Sequence, residues 1–262
     1  MVSSLSIAAM CATLALSALY AIVLCALVCR GQKGWVRCFL AGMLGFFVPQ
    51  VCIRLPLLSL PAAQLLPLWL GGAGYTVFLA ATAGLAETAG RALVFGLVLK
   101  KARTFRTALA AGAGHGWIEA MLLVVPTYVN NLVLSALLNA QGTAGLTALG
   151  VGEAAAQQAA SLLTGTPGAM FLAAGSERLM AVTFHVLASV LLASFFARGK
   201  AARGFLAVWA AHTAFDCLAP LLSALGGAPL ALIALETALA VVLSALTARC
   251  ARRFPQQDIQ KV

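Results

Sequence analysis

The chain has 262 residues, of which 62% are hydrophobic and 9% charged, and its formal net charge is +10. Soluble domains average about 45–50% apolar and about 25% charged residues. The composition therefore excludes a disordered chain, a disulfide-stapled secreted domain and an ordinary soluble fold. It leaves a polytopic bundle of membrane helices.

A spanning helix needs about 20 mainly apolar residues. Seven such segments are predicted, at residues 5–29, 38–60, 73–99, 107–127, 170–197, 204–224 and 229–249. Residues 1–29 hold no Lys or Arg, and their apolar run is too long for a signal peptide, so the first segment is read as a retained helix. The second contains Pro49, Arg54 and Pro56.

Basic clusters follow the first segment (Arg30, Lys33, Arg37) and the third (Lys100, Lys101, Arg103, Arg106). Others follow the fifth (Arg198, Lys200, Arg203) and the seventh (Arg249, Arg252, Arg253, Lys261). Alternating passes put all of these on one side, which predicts an outside N-terminus and a cytoplasmic C-terminus. The same pattern makes the basic charge a topology signal, so no nucleic-acid partner is expected. The setting this implies is a bacterial cytoplasmic membrane.

The longest connection, 128–169, falls on the outer side with the loops 61–72 and 225–228. Within that connection, 146–163 can form a small-residue helix at the interface, with Glu153 in solvent. No internal repeat or second domain is evident, so 1–262 reads as a single transmembrane domain with a short, frayed polar tail. The seven cysteines include no CxxC pair. Cys25 and Cys29 share a helical face, and all seven are read as small lipid-facing thiols. Phe and Trp residues read as packing and interface anchors.

The remaining arginines (Arg54, Arg91, Arg178) lie inside apolar segments, as do Glu87, Glu119, Glu177, Asp216, Glu236 and all three histidines. A charge at helix centre costs about 2.5–3.5 kcal/mol on the insertion scale. Such groups must pair, bind an ion or line a wet cavity. Glu87 and His185 each precede a basic cluster by 13 residues, and His115 and His212 follow one by nine. At about 1.5 Å per residue, four helices place polar groups roughly 14–20 Å from the cytoplasmic end. Glu87/Arg91, His115/Glu119 and His212/Asp216 are i,i+4 pairs, each on one helix face.

A His with a carboxylate one turn away is a ligand pair, or a base with its orienter. A catalytic zinc keeps three protein ligands and an open position, and lowers the pKa of its water to about 7. His115, Glu119, His185 and His212 are the candidate metal ligands, and zinc is the cofactor this donor set suggests. Alternatively, Glu87 activates water alone while histidines hold the oxyanion. Either scheme hydrolyses a peptide or membrane-protein substrate within the bilayer. The candidate catalytic residues are Glu87, Arg91, His185, His212 and Asp216. Glu177 and Arg178 read as an internal ion pair, joined by Arg54. Glu236 reads as an arginine partner or a protonated core acid.

Taken in order, Glu87-x-x-x-Arg91, Gly112-x-Gly114-His115-Gly116-x-x-Glu119, Glu177-Arg178, Phe184-His185 and His212-x-x-x-Asp216 resemble the motifs of the YhfC-type intramembrane peptidases. Arg54-x-Pro56-Leu57 also fits, and the resemblance covers about residues 45–220. That family is placed with the type II CAAX prenyl endopeptidases and bacteriocin-processing membrane proteases. The resemblance implies that Glu87 activates water, that Arg91 is its structural partner, and that His212 and Asp216 form the last motif. It departs from the superfamily at Thr88, where a second Glu stands, and at the His115 motif. Both metal-dependent and glutamate-only chemistry fit the superfamily. A different class, a proton-coupled transporter or a non-catalytic adaptor, would use the same polar layer.

Overall fold

The computed structural model describes residues 1–224, 229–252 and 254. The connection 225–228, Arg253, Lys261 and the polar tail lie outside the described residues. So do the side chains of 218–224, 229 and 232.

Among the described residues every regular element is helical. The helices are α1 (Ser4–Val28), α2 (Trp35–Phe46), α3 (Leu55–Leu58), α4 (Leu66–Leu93), α5 (Phe105–Leu123) and α6 (Val125–Gln141). They continue as α7 (Thr143–Thr147), α8 (Glu153–Gly165), α9 (Gly168–Ala197), α10 (Ala201–Ala224) and α11 (Pro229–Ala251). Six helical stretches of the described chain are long and apolar enough to cross a membrane. Helix α10, the sixth predicted segment, is 24 residues long and carries Arg203, His212 and Asp216.

The interruptions have local causes. Pro49 falls in a π-helical stretch, Phe47–Arg54, between α2 and α3. Proline has no N–H to give an α-helical ladder, and a wider turn absorbs the mismatch. A second π-helical turn, Val94–Val98, ends α4. Gly71 breaks the start of α4 with φ 65° and ψ 172°, a conformation open to a residue without Cβ. The break coincides with the predicted segment start near 73. Pro126 sits in the first turn of α6, just past a one-residue break at Val124.

The clearest difference from the sequence reading is the connection 128–169. It is almost wholly helical, because α5 and α6 form one stretch, Phe105–Gln141, and α7 and α8 fill most of the remainder. Its Asn, Ser and Gln residues lowered the apparent apolarity without breaking the helix. Glu153 is exposed in the first turn of α8, as expected.

The chain divides into two compact units. One comprises Met1–Tyr20, Ala120–Met180 and Gly227–Leu239. Its core gathers Val2, Met10, Tyr128, Leu146, Leu163 and Phe171. Tyr128 and Thr13 both donate to the Phe171 carbonyl, at 3.1 and 2.6 Å. In this unit Glu177 pairs with Arg178, and buried Glu236 hydrogen-bonds Ser176.

The second unit comprises Ala21–Glu119, Ala181–Gly226 and Ala240–Val262. Glycines let its backbones touch. A Cβ on Gly42 would sit 1.8 Å from the Ala111 carbonyl oxygen, and one on Gly114 would sit 2.0 Å from that of Phe39. One on Gly90 would sit 1.8 Å from the Gly45 oxygen. These contacts clamp α2 against α4 and α5. Cys25, Cys29 and Cys38 are buried in this unit rather than lipid-facing. Cys29 Sγ lies 3.5 Å from the Arg106 carbonyl oxygen, so the small thiols fill a close-packed interior. Cys11 and Cys52 are exposed.

Candidate metal and catalytic centre

All seven sequence-predicted site residues lie in the second unit. Helix α4 supplies Glu87 and Arg91, α5 supplies His115 and Glu119, α9 supplies His185, and α10 supplies His212 and Asp216. Glycine packing brings these helices close enough to meet. A Cβ on Gly112 would lie 2.8 Å from the His185 carbonyl oxygen, and one on Gly84 would lie 3.2 Å from His212 Cβ. Trp209 Nε1 donates to the Ala81 carbonyl at 2.9 Å and pins α10 along α4.

Glu87 is the hub. Its Oε2 lies 3.0 Å from His115 Nε2, 3.4 Å from His212 Nε2, 3.8 Å from His185 Nδ1 and 3.6 Å from Arg91 Nη2. Glu87, Arg91, His115, His185 and His212 are each 4% exposed or less. A carboxylate this deep needs its charge balanced, and one guanidinium with three imidazoles surrounds it.

Arg91 faces the histidines as well as the carboxylate. Its Nη2 lies 2.5 Å from His185 Nδ1 and its Nη1 lies 3.4 Å from His212 Nδ1. A guanidinium only donates, so both Nδ1 atoms accept and both Nε2 atoms carry hydrogen. His185 Nε2 then donates to Glu119 Oε2. His212 Nε2 lies 3.4 Å from Asp216 Oδ1 as well as from Glu87. Glu119 and Asp216 are 15% and 29% exposed at their side chains, so they form the more open edge of the centre.

Aromatic rings enclose the imidazoles. Phe46 stands edge-on to His115 at 5.3 Å, and Phe184 edge-on to His212 at 5.3 Å and to His185 at 5.8 Å. Phe184 also stacks on Phe215 at 4.1 Å. From sequence alone these rings read as packing and interface anchors. The adjacency of Phe184 to His185 and of Phe215 to Asp216 was the available signal, whereas Phe46 has none. Arg54 is held by α4. Its Nη2 donates to the Leu79 carbonyl at 2.7 Å and its Nε to Thr82 Oγ1 at 3.1 Å.

Glu87, His115 and His185 can hold a metal ion, with one donor atom from each lying within 4.8 Å of the others. Two imidazoles and a carboxylate are a borderline donor set that suits zinc and its neighbours. Tetrahedral zinc, with bonds near 2.0–2.1 Å, spaces its ligands about 3.4 Å apart, so these side chains must draw together to close the set.

Residues 16–239 match the YhfC intramembrane metalloprotease family. The chain belongs to this family. The matched span contains every residue of the centre. The chain is also 29% identical over 126 residues to the "Uncharacterized membrane protein YhfC" of Bacillus subtilis (strain 168). That alignment covers 48% of this chain and 47% of the relative, so it spans about half of the relative's length. No solved structure matches the chain.

Proposed function

We propose that the buried layer around Glu87 is the active centre of a membrane-embedded metalloprotease that hydrolyses a peptide bond with activated water. The observation that carries this reading is the convergence of one carboxylate and three imidazoles, each on a different approach to Glu87 Oε2, deep in a helical membrane unit.

His115, His185 and Glu87 would hold the divalent cation, with zinc the best fit to the donors. Bound there, it would supply Lewis acidity and lower the proton affinity of adjacent water. Glu87 is both the third donor and the nearest base. A carboxylate has two oxygens and can share one while the other takes a proton. His212, steadied by Asp216, presents an N–H toward the same space and serves the developing oxyanion or the leaving amine. Glu119 holds His185 by its outer nitrogen, the place of a carboxylate behind a ligating histidine. This shifts Glu119 from ligand to orienter. Arg91 balances the Glu87 charge. The substrate is a peptide or membrane protein in a bacterial cytoplasmic membrane.

The test is cleavage of a peptide library or of co-expressed membrane proteins by purified protein in detergent. Glu87→Gln should lower the rate about 10²–10⁴-fold, the range of a lost general base, with the helical content intact. Undiminished cleavage by that variant would overturn the assignment of Glu87.

A further inference from the structure

We infer that Arg91 is an internal competitor of the metal, which must let go of His185 and His212 before either can ligate. The inference rests on the metalloprotease reading above.

The argument is one of lone pairs. A neutral imidazole has one nitrogen that donates and one that accepts. The Arg91 guanidinium, 2.5 Å from His185 Nδ1 and 3.4 Å from His212 Nδ1, occupies the accepting nitrogen of both. The other nitrogen, Nε2, then carries hydrogen, and on His185 it is directed at Glu119. With Arg91 in this place, neither nitrogen of His185 has a lone pair for a cation. The same holds for His212, whose Nε2 faces Glu87 and Asp216. Protonating the imidazoles does not free them, because a second hydrogen would fill Nδ1.

Charge points the same way. A guanidinium beside Glu87 repels a divalent cation that needs the same carboxylate, and burial leaves little water to screen them. Displacement nonetheless leaves a ready ligand. Once Arg91 withdraws, His185 Nδ1 faces Glu87 while Glu119 still accepts from Nε2, the arrangement of a ligating histidine with its carboxylate behind it. One donor of Arg91 is unused. Its Nε has no hydrogen-bond partner among the described residues. Moving Arg91 breaks its contacts with the two imidazoles and Glu87.

The sign of one measurement decides. Zinc affinity is read by chelator competition on purified wild type, Arg91→Met and Arg91→Gln, with helical content and thermal unfolding recorded alongside. Removal of a competitor predicts binding at least about tenfold tighter in either folded variant. A residue that orients ligands would do the opposite, since losing such support weakens affinity about 10–100-fold. Weaker or unchanged binding in a folded variant overturns the inference and leaves the metalloprotease reading standing. No zinc binding by wild type or either variant overturns both. Should Arg91→Met fail to fold, Arg91→Gln keeps a polar partner for Glu87 and carries the test.

Discussion

At the scale of residues, the layer is organised by what each nitrogen can do. Arg91 donates to two histidines, the histidines pass hydrogens outward, and Glu119 and Asp216 receive them. Asp216→Ala should therefore leave the fold intact and cost about 10–100-fold in turnover, the loss typical of an orienting partner. Measured cleavage at the wild-type rate would remove Asp216 from the centre. The sequence made most of this legible. Buried charge is costly, so His115, Glu87, His185 and His212 announced themselves inside apolar runs, and i,i+4 spacing paired His212 with Asp216. Direction was not legible. Spacing alone cannot tell that Glu119 stands behind His185 on another helix rather than beside His115, its own neighbour one turn away.

At the scale of elements, glycine sets how closely helices approach. Gly90, Gly114 and Gly42 lie where an added methyl would meet backbone oxygen at 2.0 Å or less, and backbone cannot rotate aside as a side chain can. Gly90→Ala or Gly114→Ala should lower the thermal midpoint and abolish metal uptake together, since overpacking costs about 1–3 kcal/mol or more and misplaces Glu87 or His115. Gly96→Ala is the control. Its nearest neighbour would be a Phe196 ring carbon at 3.5 Å, an ordinary contact, and it should behave as wild type in the same melt. Apolar periodicity located most segments to within a few residues. It anticipated a helix near α8 but missed α6, where polar side chains diluted the hydropathy, and the π-helical turns, which leave no periodic trace.

At the scale of the whole molecule, the described chain is a polytopic helical membrane protein with many large apolar side chains exposed. Leu68, Trp69 and Leu230 are 80%, 82% and 74% exposed, surfaces suited to lipid rather than water. The described basic clusters predict one cytoplasmic face. A cysteine at Gly150, in a background lacking exposed Cys11 and Cys52, should react in intact cells with a membrane-impermeant maleimide. One at Lys101 should react only after the cells are opened. The reverse pattern would invert the topology.

The central claim is that these helices assemble a metal centre for hydrolysis. It is tested most directly by the metal content of purified wild type beside His115→Ala and His185→Ala, measured by elemental analysis. About one divalent cation per chain in wild type, absent from both variants at unchanged helical content, is the predicted result. Folded wild type that takes up no cation after incubation with zinc, or variants that keep it, would contradict the account.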